Sequence, residues 1–390
     1  MREAVIVSAV RTPVGRCRGS LASVPAEELG ALVIREAVKR ASIDPSTIDE
    51  VLFGNIRNND IRGMGRMAAL AAGLPVSVPG ITLERQCTSS LNAYAYASIL
   101  IQAGFGDIMV SGGVESDSRF PYLMERTSGP YQVSPPRWSE QKSSPVDPYG
   151  NPNMGITAEN IAEKYGITRV ECDEFSLRSH QKATKAWESG YFDEQVIPVE
   201  VSAGKGKTLT VARDESVRAD SSMETLSKLS PAFKKDGVVT AGNSSPMSDG
   251  AGALVVMEKE MAKSLGLEIL GTFKGYASAG VDPAIMGIGP VASTKKLFNQ
   301  TGLTMNDIDL IELNEAFASQ SIACIRELKM DEDKVNVNGG AIAIGHPLAG
   351  SGAILIAKMV YELKRLDKNM GLISFCAAGG MGVSVVIERG

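Results

Sequence analysis

The stretch STIDEVLFGN, residues 46–55, has a counterpart much later in the chain, NDIDLIELNE, residues 306–315. The two align at an offset of 260 residues, which places Asp49 over Asp309. In each copy a polar turn leads into a short apolar run that is typical of a buried strand. A repeated strand of this kind is the first indication that the chain contains two similar halves.

Other elements repeat in the same order. The first copy is followed by a small-residue helix over 89–104 and by DIMVSGG (107–113), a strand that ends in a glycine pair. The second copy is followed by a similar helix and by LISFCAAGG (372–380). LEILGTFKGYASAG (267–280) takes the place of the opening strand EAVIVSAV (3–10). Because strands alternate with helices, we predict a duplicated α/β fold with a layered sheet.

The character of the chain changes between the two halves. We predict an N-terminal half over 1–117 plus 250–266, an inserted loop domain over 118–249, and a C-terminal half over 267–390. The insertion includes a Pro-, Ser- and Gly-rich stretch, 126–155, that is expected to be ordered but irregular. A long insertion commonly covers a ligand site, so we expect this one to cover the site of the protein.

The overall composition is that of a soluble globular protein. Of the 390 residues, 44% are hydrophobic and 22% are charged, and the formal net charge is −5. A negative charge gives no general attraction to nucleic acid or to an anionic membrane, so we expect neither as a partner. No segment has the apolar length of a membrane span.

The cysteines and histidines indicate the compartment and exclude one class of site. Five widely spaced cysteines without a CxxC pair are typical of reduced thiols, so we predict a cytoplasmic protein. The two histidines lie far apart in the sequence, which gives no metal-ligand spacing, and we predict no metal site. His180 has charged neighbours at helical spacing and is expected on a solvated helix face.

Four short stretches carry residues that could react. Cys87 precedes the first small-residue helix, where the positive end of the helix dipole is expected to lower the pKa of the thiol. His346 stands at the corresponding entrance of the second half, with Pro347 expected in the first helical turn. Asn314 follows the repeated strand, and Cys376 ends the last core strand. Each has an ordinary structural explanation alone, but together they suit acyl transfer through a covalent thioester.

Over essentially its whole length the chain resembles the thiolases. The resemblance rests on motifs in a fixed order: GGVES (112–116), MGITAEN (154–160), LSPAFKKDGVVTAGNSS (229–245), MGIGPV (286–291), NEAFA (314–318) and GHP (345–347). It implies a five-layered α/β/α/β/α fold with an inserted loop domain, assembled as a homodimer or homotetramer. It also implies an acyltransferase that takes coenzyme A and acyl-CoA as substrates and has no permanently bound cofactor.

The resemblance assigns a role to each candidate residue. Cys87 corresponds to the nucleophile that becomes acylated. His346 corresponds to the residue that activates it and, with a water held by Asn314, stabilises the enolate oxygen of the acetyl group. Cys376 corresponds to the acid that protonates the departing acetyl-CoA carbanion and the base that later deprotonates the incoming CoA. The backbone N–H groups of Cys87 and Ala378 would form a second oxyanion hole.

Eight further positions match the family's CoA-binding residues. They are Met154, Arg218, Thr225, Phe233, Ser244, Ser245, Met286 and Phe317. Among them, Arg218 offers the positive charge that an anionic nucleotide needs, and Ser245 offers a hydroxyl near the pantetheine arm.

Four positions depart from the usual pattern of the family, including Asn153, where many short-chain biosynthetic members have histidine, and Pro246, where glycine or glutamine is common. Ser90 stands where the CxSG motif has glycine, and the terminal CxG motif reads Cys376-Ala377-Ala378. If residue 378 needs a positive φ, alanine carries strain there that glycine would not. These changes leave the reacting groups in place but bear on the fit of the substrate.

Within the family, MGITAEN, DESVR, PAFKKDG and GNSSPMSDG are similar to motifs of degradative 3-ketoacyl-CoA thiolases. The expected reaction is cleavage of a 3-ketoacyl-CoA by CoA in fatty acid β-oxidation, reversible as a Claisen condensation. The alternatives are an acetoacetyl-CoA thiolase that runs in the condensing direction, and a non-catalytic acyl-CoA- or lipid-binding relative. A ketosynthase-like enzyme is disfavoured, since its pattern has two histidines.

Overall fold

A computed structural model gives the fold of the protein. The residues that it describes are 2–58, 60–124, 150, 152–204 and 206–390. Most of the stretch 126–155 lies outside the described residues, so the irregular loop expected there stays a prediction. The boundaries of the inserted domain also stay a prediction.

The strands and helices alternate as the repeat indicates. The strands are β1 (Ala4–Arg11), β2 (Gly15–Arg16), β3 (Glu50–Gly54), β4 (Gly80–Leu83), β5 (Ile108–Ser116), β6 (Val199–Ser202), β7 (Thr208–Val211), β8 (Ser248–Glu258), β9 (Gly271–Gly280), β10 (Leu310–Leu313), β11 (Met370–Ala377) and β12 (Met381–Arg389). The α-helices are α1 (Ala26–Ala41), α2 (Met64–Ala71), α3 (Ser89–Ala103), α4 (Met154–Tyr165), α5 (Arg169–Glu188), α6 (Met223–Ser227), α7 (Lys259–Ser264), α8 (Gly289–Thr301), α9 (Ala318–Leu328), α10 (Ala341–Ile344) and α11 (Ser351–Leu366).

The main sheet consists of two half-sheets with matching strand directions. Its order is β10-β11-β12-β9-β1-β8-β5-β3-β4. The halves join through a short antiparallel pairing of Val5 with Thr272 and of Ile6 with Gly271. In the N-terminal half β3 runs parallel to β5, as β10 runs parallel to β11 in the C-terminal half. The antiparallel pairs β5–β8 and β11–β12 repeat in the same way.

The helices divide into a central layer and two outer layers. The two small-residue helices, α3 and α11, contact each other and strands of both half-sheets. Helices α1 and α2 cover the outer face of the N-terminal half, and α8 covers the outer face of the C-terminal half. The predicted five-layered α/β/α/β/α fold is therefore confirmed. A mostly apolar helix is typical of a buried position, and α3 is buried over most of its length, with Ile99 exposed near its C-terminal end.

Small residues allow the two central helices to approach closely at their N-terminal ends. A Cβ at Gly352 would lie 2.3 Å from the backbone nitrogen of Leu91. The N–H of Ala353, in the first turn of α11, donates to Ser90 Oγ at 3.0 Å. The hydroxyl that replaces the family's usual glycine thus satisfies one of the unpaired N–H groups at the start of the partner helix.

Helices α4 and α5 of the inserted part pack on the C-terminal half, whereas a buried ion pair ties the following loop to the N-terminal half. Arg11 and Asp214 are both fully buried, with Nη1–Oδ1 and Nη2–Oδ2 distances of 2.8 and 3.1 Å. Asp214 also accepts hydrogen bonds from the N–H of Val14 and from Trp187 Nε1. These bonds satisfy both carboxylate oxygens, as a buried charge requires.

Two features differ from the sequence prediction. The prediction that Pro347 lies in the first helical turn is wrong, because α11 begins at Ser351 after a 3₁₀ turn over Leu348–Gly350. The edge strand β4 was not predicted, because its residues are half-exposed and lack a buried apolar run. Within the described residues, no helix has both the length and the apolar character needed to cross a membrane.

Candidate active site

The repeated strand of the C-terminal half ends at the site. Asn314 directly follows β10, and its N–H donates to the carbonyl of Ser374 at 2.9 Å. Its side-chain Nδ2 lies 3.5 Å from His346 Nε2, and both residues are buried. The structure therefore brings together the amide and the imidazole that the sequence marked as candidates.

The imidazole of His346 is held from its other side as well. Nδ1 lies 2.6 Å from Ser351 Oγ, and the backbone N–H donates to Ser248 Oγ at 3.1 Å. With Asn314 Nδ2 donating to Nε2, the ring proton is on Nδ1 and is donated to Ser351. Burial, followed by the positive charge of Arg57, lowers the pKa of His346 to about 4. The ring is consequently neutral at pH 7, and Nε2 can accept a proton.

The turn that carries His346 needs a glycine. Gly345 has a φ of +112°, which L side chains rarely adopt. A Cβ there would also lie 2.7 Å from both Ser248 Oγ and Val14 Cγ1. These two constraints explain the glycine that precedes the histidine in the GHP motif.

Cys87 lies two residues before α3, and the preceding residue, Gln86, has a φ of +47°. The expectation that the helix dipole lowers the thiol pKa is wrong. Burial raises the pKa of Cys87 to about 11, although hydrogen bonds from the N–H groups of Ala378 and of Cys87 itself oppose the shift. Removing a thiolate from water costs more free energy than these donors restore. The thiol is therefore protonated at pH 7 and needs a base.

The base and the nucleophile share one environment without being bonded to each other. Neither ring nitrogen of His346 is hydrogen-bonded to a thiol within the described part of the chain. The positive charge of Arg57 acts on both groups, since it adds to the fall of the His346 pKa and opposes the rise of the Cys87 pKa. One positive charge therefore acts on both the base and the nucleophile.

Cys376 belongs to the same site and is supplied by the other half. Burial, followed by the nearby Cys87, raises the pKa of the buried Cys376 thiol well above its usual value. Two residues farther on, the backbone N–H of Ala378 opposes the rise of the Cys87 pKa, which places it close to that thiol. The two thiols are therefore neighbours across the junction of the two halves.

The strain considered for Ala378 is not present. The positive φ values in this turn belong to Gly379 and Gly380, at +82° and +79°, and not to Ala378. A Cβ on Gly380 would lie 2.2 Å from the carbonyl oxygen of Val281, so glycine is needed there. Ala378 therefore adds a methyl group beside the site, and its backbone conformation is unstrained.

Four of the predicted CoA-binding residues form an apolar surface beside Cys376. Met286 and Phe317 are buried in one cluster with this cysteine, and Met154 packs against it. Phe233 meets Phe317 edge to face, with 6.4 Å between the ring centroids. This surface can cover the apolar part of a thioester and exclude water from it.

The other four predicted residues lie toward a more polar cavity of about 260 Å³. Three of them line it, namely Arg218, Thr225 and Ser244. Ser244 also forms an isolated β-bridge with Phe317, which connects the cavity to the apolar surface. The N–H and the hydroxyl of Ser245 both donate to the carbonyl of Ala316, at 3.0 and 3.1 Å.

The expectation of a solvated position for His180 is wrong. Its side chain is buried on α5 and lines the same cavity. The N–H of Arg218 donates to His180 Nδ1 at 3.2 Å. Burial, followed by the charge of Arg218, lowers the pKa of His180 to about 4. The charged neighbours of His180 along α5 suggested an exposed face. Packing against α10, which the sequence pattern does not show, decides which face of α5 is buried.

Sequence reasoning also missed a carboxylate that supports the His346 turn. Glu115 accepts hydrogen bonds from the N–H groups of Arg57 and Ala349, at 2.8 and 3.3 Å. Burial raises the pKa of Glu115 to about 8. Its motif, GGVES, was recognised, but nothing in the spacing pointed to a contact 234 residues away.

A second missed residue fixes the strand end that presents Asn314. Asn336 Oδ1 accepts from the N–H of Leu313 at 2.9 Å, and Nδ2 donates to the carbonyl of Leu313 and to Glu315 Oε1. No signal in the sequence distinguished this asparagine from an ordinary turn residue. Within the described ranges, no group of three or more His, Cys, Asp or Glu residues could hold a metal ion.

Comparison with known proteins decides the family. The sequence model described as "Thiolase, N-terminal domain" matches residues 4–260, and the one described as "Thiolase, C-terminal domain" matches residues 267–389. The chain belongs to the thiolase family. This thiolase is an acyltransferase, and the reaction of its family is reversible thiolysis and Claisen condensation.

Similar proteins cover the whole chain of this thiolase. An acetyl-CoA acetyltransferase of Pseudomonas aeruginosa is 44% identical over 392 residues, which is 100% of both proteins. The crystal structure of the Bacillus anthracis acetyl-CoA acetyltransferase has a TM-score of 0.95 and 42% identity, covering 100% of this chain and 99% of that one. Human mitochondrial 3-ketoacyl-CoA thiolase in complex with CoA has a TM-score of 0.93 and 36% identity, with 100% and 98% covered.

Proposed function

We propose that this thiolase cleaves 3-ketoacyl-CoA with CoA, producing acetyl-CoA and a shortened acyl-CoA. The observation that carries the proposal is that Cys87, His346, Asn314 and Cys376 meet at one site to which both halves contribute. The CoA complex of the human relative supports CoA as the second substrate. The apolar surface and the polar cavity provide complementary places for the two ends of that molecule.

The first half-reaction transfers the acyl group to the enzyme. The proton of Cys87 Sγ moves to His346 Nε2, and the sulfur attacks the 3-keto carbon of the substrate. The bond between C2 and C3 then breaks, and its electron pair stays on C2 of the departing acetyl-CoA enolate. Cys376 gives its proton to C2, which is possible because its raised pKa keeps the thiol protonated. The shortened acyl group remains on Cys87 as a thioester.

The second half-reaction returns the enzyme to its starting state. The Cys376 thiolate takes the proton of incoming CoA, whose sulfur attacks the carbonyl carbon of the acyl-cysteine. We assign stabilisation of the negative oxygen of the tetrahedral intermediate to the N–H groups of Cys87 and Ala378, which both oppose the rise of the Cys87 pKa in the resting enzyme. Cys87 then leaves as a thiolate and takes its proton back from His346.

The enolate oxygen formed in the first half-reaction needs its own donors. We assign this role to His346 Nε2, once it is protonated, and to a water held by Asn314. Asn314 Nδ2 and His346 Nε2 lie 3.5 Å apart, close enough for one oxygen to be served from both residues. Donors aimed at the position of a developing negative charge stabilise the transition state more than the ground state.

The substrate is proposed to be a 3-ketoacyl-CoA longer than acetoacetyl-CoA, used in the degradative direction of fatty acid β-oxidation. The test is a thiolysis assay with 3-ketoacyl-CoA substrates of increasing chain length. We expect kcat/KM to be at least equal for longer chains. A clear preference for acetoacetyl-CoA over every longer or branched substrate would instead identify an acetoacetyl-CoA thiolase, as the names of the bacterial relatives suggest.

We further propose that the protein is a homodimer or homotetramer in the cytoplasm. The edge strand β4 carries Ile81, which is 43% exposed, and an edge with unpaired backbone groups can pair with a second copy. The five free cysteines suit a reducing compartment. Light scattering should give the mass of two or four chains, and cell fractionation should recover the protein with soluble cytoplasmic markers. A one-chain mass, or recovery outside the cytoplasm, would contradict the respective proposal.

A further inference from the structure

His180 is the histidine that the proposed reaction does not use. The chain has two histidines, and the other is His346. His180 lies on α5, is only 5% exposed, and faces the cavity of about 260 Å³ that also holds Arg218 and Thr225. Burying an imidazole in the wall of a ligand cavity costs desolvation free energy, and contacts within α5 itself give no reason for that cost.

The hydrogen bond from Arg218 fixes which ring nitrogen of His180 carries the proton. Because the N–H of Arg218 donates to Nδ1 at 3.2 Å, the lone pair of Nδ1 is already used. Burial keeps the ring neutral at pH 7, so its one proton is on Nε2. Among the described residues, Nε2 has no hydrogen-bond partner. The wall of the cavity thus presents an N–H donor with no acceptor from the protein.

The segment that His180 holds is anchored at its other end as well. Asp214 forms the buried ion pair with Arg11, and Glu215 accepts hydrogen bonds from the N–H groups of Arg16 and Ser20. His180 then holds the N–H of Arg218, whose side chain is exposed and forms no ion pair among the described residues. The guanidinium is left available for an anionic ligand while its backbone is fixed.

The lining of the cavity indicates the chemistry of the ligand. Arg218 supplies positive charge, while the charge of Arg16 is shared with Glu215 at 3.6 Å. Leu226 and Leu229 supply an apolar wall. A ligand with both an anionic and an apolar part fits this combination, and the nucleotide end of CoA has both. Negatively charged oxygens are the strongest acceptors for a buried N–H donor.

We propose that His180 is a CoA-binding residue that acts with both ring nitrogens, Nδ1 fixing the backbone of Arg218 and Nε2–H donating to a phosphate oxygen at the nucleotide end of CoA. The inference rests on the proposed function, since it assumes that CoA is the ligand. His180 does not touch the reacting atoms, so it contributes to affinity and not to the chemical step.

Two substitutions separate this role from a packing role. His180→Phe keeps the aromatic volume but removes both hydrogen bonds, whereas His180→Gln can still accept from Arg218 and donate to an anion. Titration calorimetry with CoA should show about tenfold weaker binding for His180→Phe, and binding within threefold of wild type for His180→Gln. Calorimetry needs no turnover, so it decides the matter even if the proposed reaction fails.

Pantetheine as the acyl acceptor serves as an internal control because it lacks the diphosphate and the nucleotide. With pantetheine, kcat/KM of His180→Phe should stay within twofold of wild type, and with saturating CoA kcat should also stay within twofold. Unchanged CoA affinity in His180→Phe would overturn the proposal. An equal loss with CoA and pantetheine would overturn it too, since it would indicate a general distortion of the site.

Discussion

The two halves have the same order of elements, but different reactive groups lie at the entrances of their central helices. One group is a thiol that can give up a proton, and the other is an imidazole that can accept one. The entrance of α3 presents Cys87, and the entrance of α11 presents His346. Burial raises the pKa of the thiol to about 11 and lowers the pKa of the imidazole to about 4. Desolvation disfavours the charged form of each group, so one cause produces both shifts. The duplication thus provides a neutral acid and a neutral base from a single architecture.

The entrances also differ in length, and the difference shows how the halves interlock. α3 starts two residues after Cys87, whereas α11 starts five residues after His346. The additional residues form the 3₁₀ turn Leu348–Gly350, in which the N–H of Ala349 donates to Glu115 of the other half. Ser351 in turn contacts His346 Nδ1. Contacts with the N-terminal half therefore hold the second entrance in place.

The nucleophile, Cys87, lies at the first entrance, and replacing this residue should have the largest effect on activity. Cys87→Ser is expected to lower kcat for thiolysis by about 10³-fold or more, since a hydroxyl is a far weaker nucleophile near neutral pH. Steady-state kinetics with a 3-ketoacyl-CoA measures the loss. Cys17→Ser removes a half-buried thiol outside the site and should keep kcat within twofold. Comparable losses in both variants would remove the basis for singling out Cys87.

The base at the second entrance should be the next most sensitive position. His346→Asn is expected to lower the rate of Cys87 acylation by about 10²- to 10⁴-fold, the range of general-base catalysis. Ser351→Ala removes the partner of Nδ1 but leaves the ring, so we expect a loss of roughly tenfold. Rapid-quench measurement of acylation compares the two variants. If Ser351→Ala is as slow as His346→Asn, the rate of acylation depends on the orientation of the imidazole ring far more than on its basicity.

The pH dependence of thiol reactivity tests the direction of the shift at the first entrance. Because the pKa of Cys87 is about 11, its thiolate fraction should rise about tenfold per pH unit between pH 7 and pH 10. The rate of iodoacetamide alkylation, followed by peptide mass spectrometry, should rise in proportion. A rate that is already constant above pH 7 would indicate that Cys87 is a thiolate stabilised by the helix dipole. The pKa shift of Cys87 would then be downward and not upward.

A smaller effect is expected where the two entrances touch. Ser90→Ala leaves the buried N–H of Ala353 without its acceptor, which costs about 1–3 kcal/mol of unfolding free energy. Urea denaturation measures the loss. Ser98→Ala on the same helix removes a hydroxyl that bonds the carbonyl of Tyr94 within the helix, and should cost less than Ser90→Ala. Equal losses would mean that the contact between the entrances contributes nothing specific.

The sequence predicted much of this arrangement, for physical reasons. The offset between the repeated strands placed Asn314, and the small residues around Cys87 and His346 reflect a close approach of two helices that leaves little choice of side chain. The same pattern did not predict the pKa of Cys87, because burial depends on the opposite half of the chain. His180 and Glu115 were missed for a similar reason, since their partners lie far away in sequence.

The smallest expected effect concerns the alanine of the second half. Since Ala378 does not adopt a positive φ, Ala378→Gly relieves no strain, and kcat/KM should change by less than about threefold. A thiolysis assay with short and long substrates checks this. A large gain in rate would show that the methyl group, and not the backbone, limits access to the oxyanion hole.

The proposed mechanism requires that one sulfur receives the acyl group at a site shared by both halves. The direct measurement is peptide mass spectrometry after brief incubation of the wild-type protein with acetyl-CoA. The mechanism predicts one acetyl group on the peptide that contains Cys87, and this group should disappear when free CoA is added. An acetyl group on Cys376 or on another cysteine, or none on any cysteine, would contradict it.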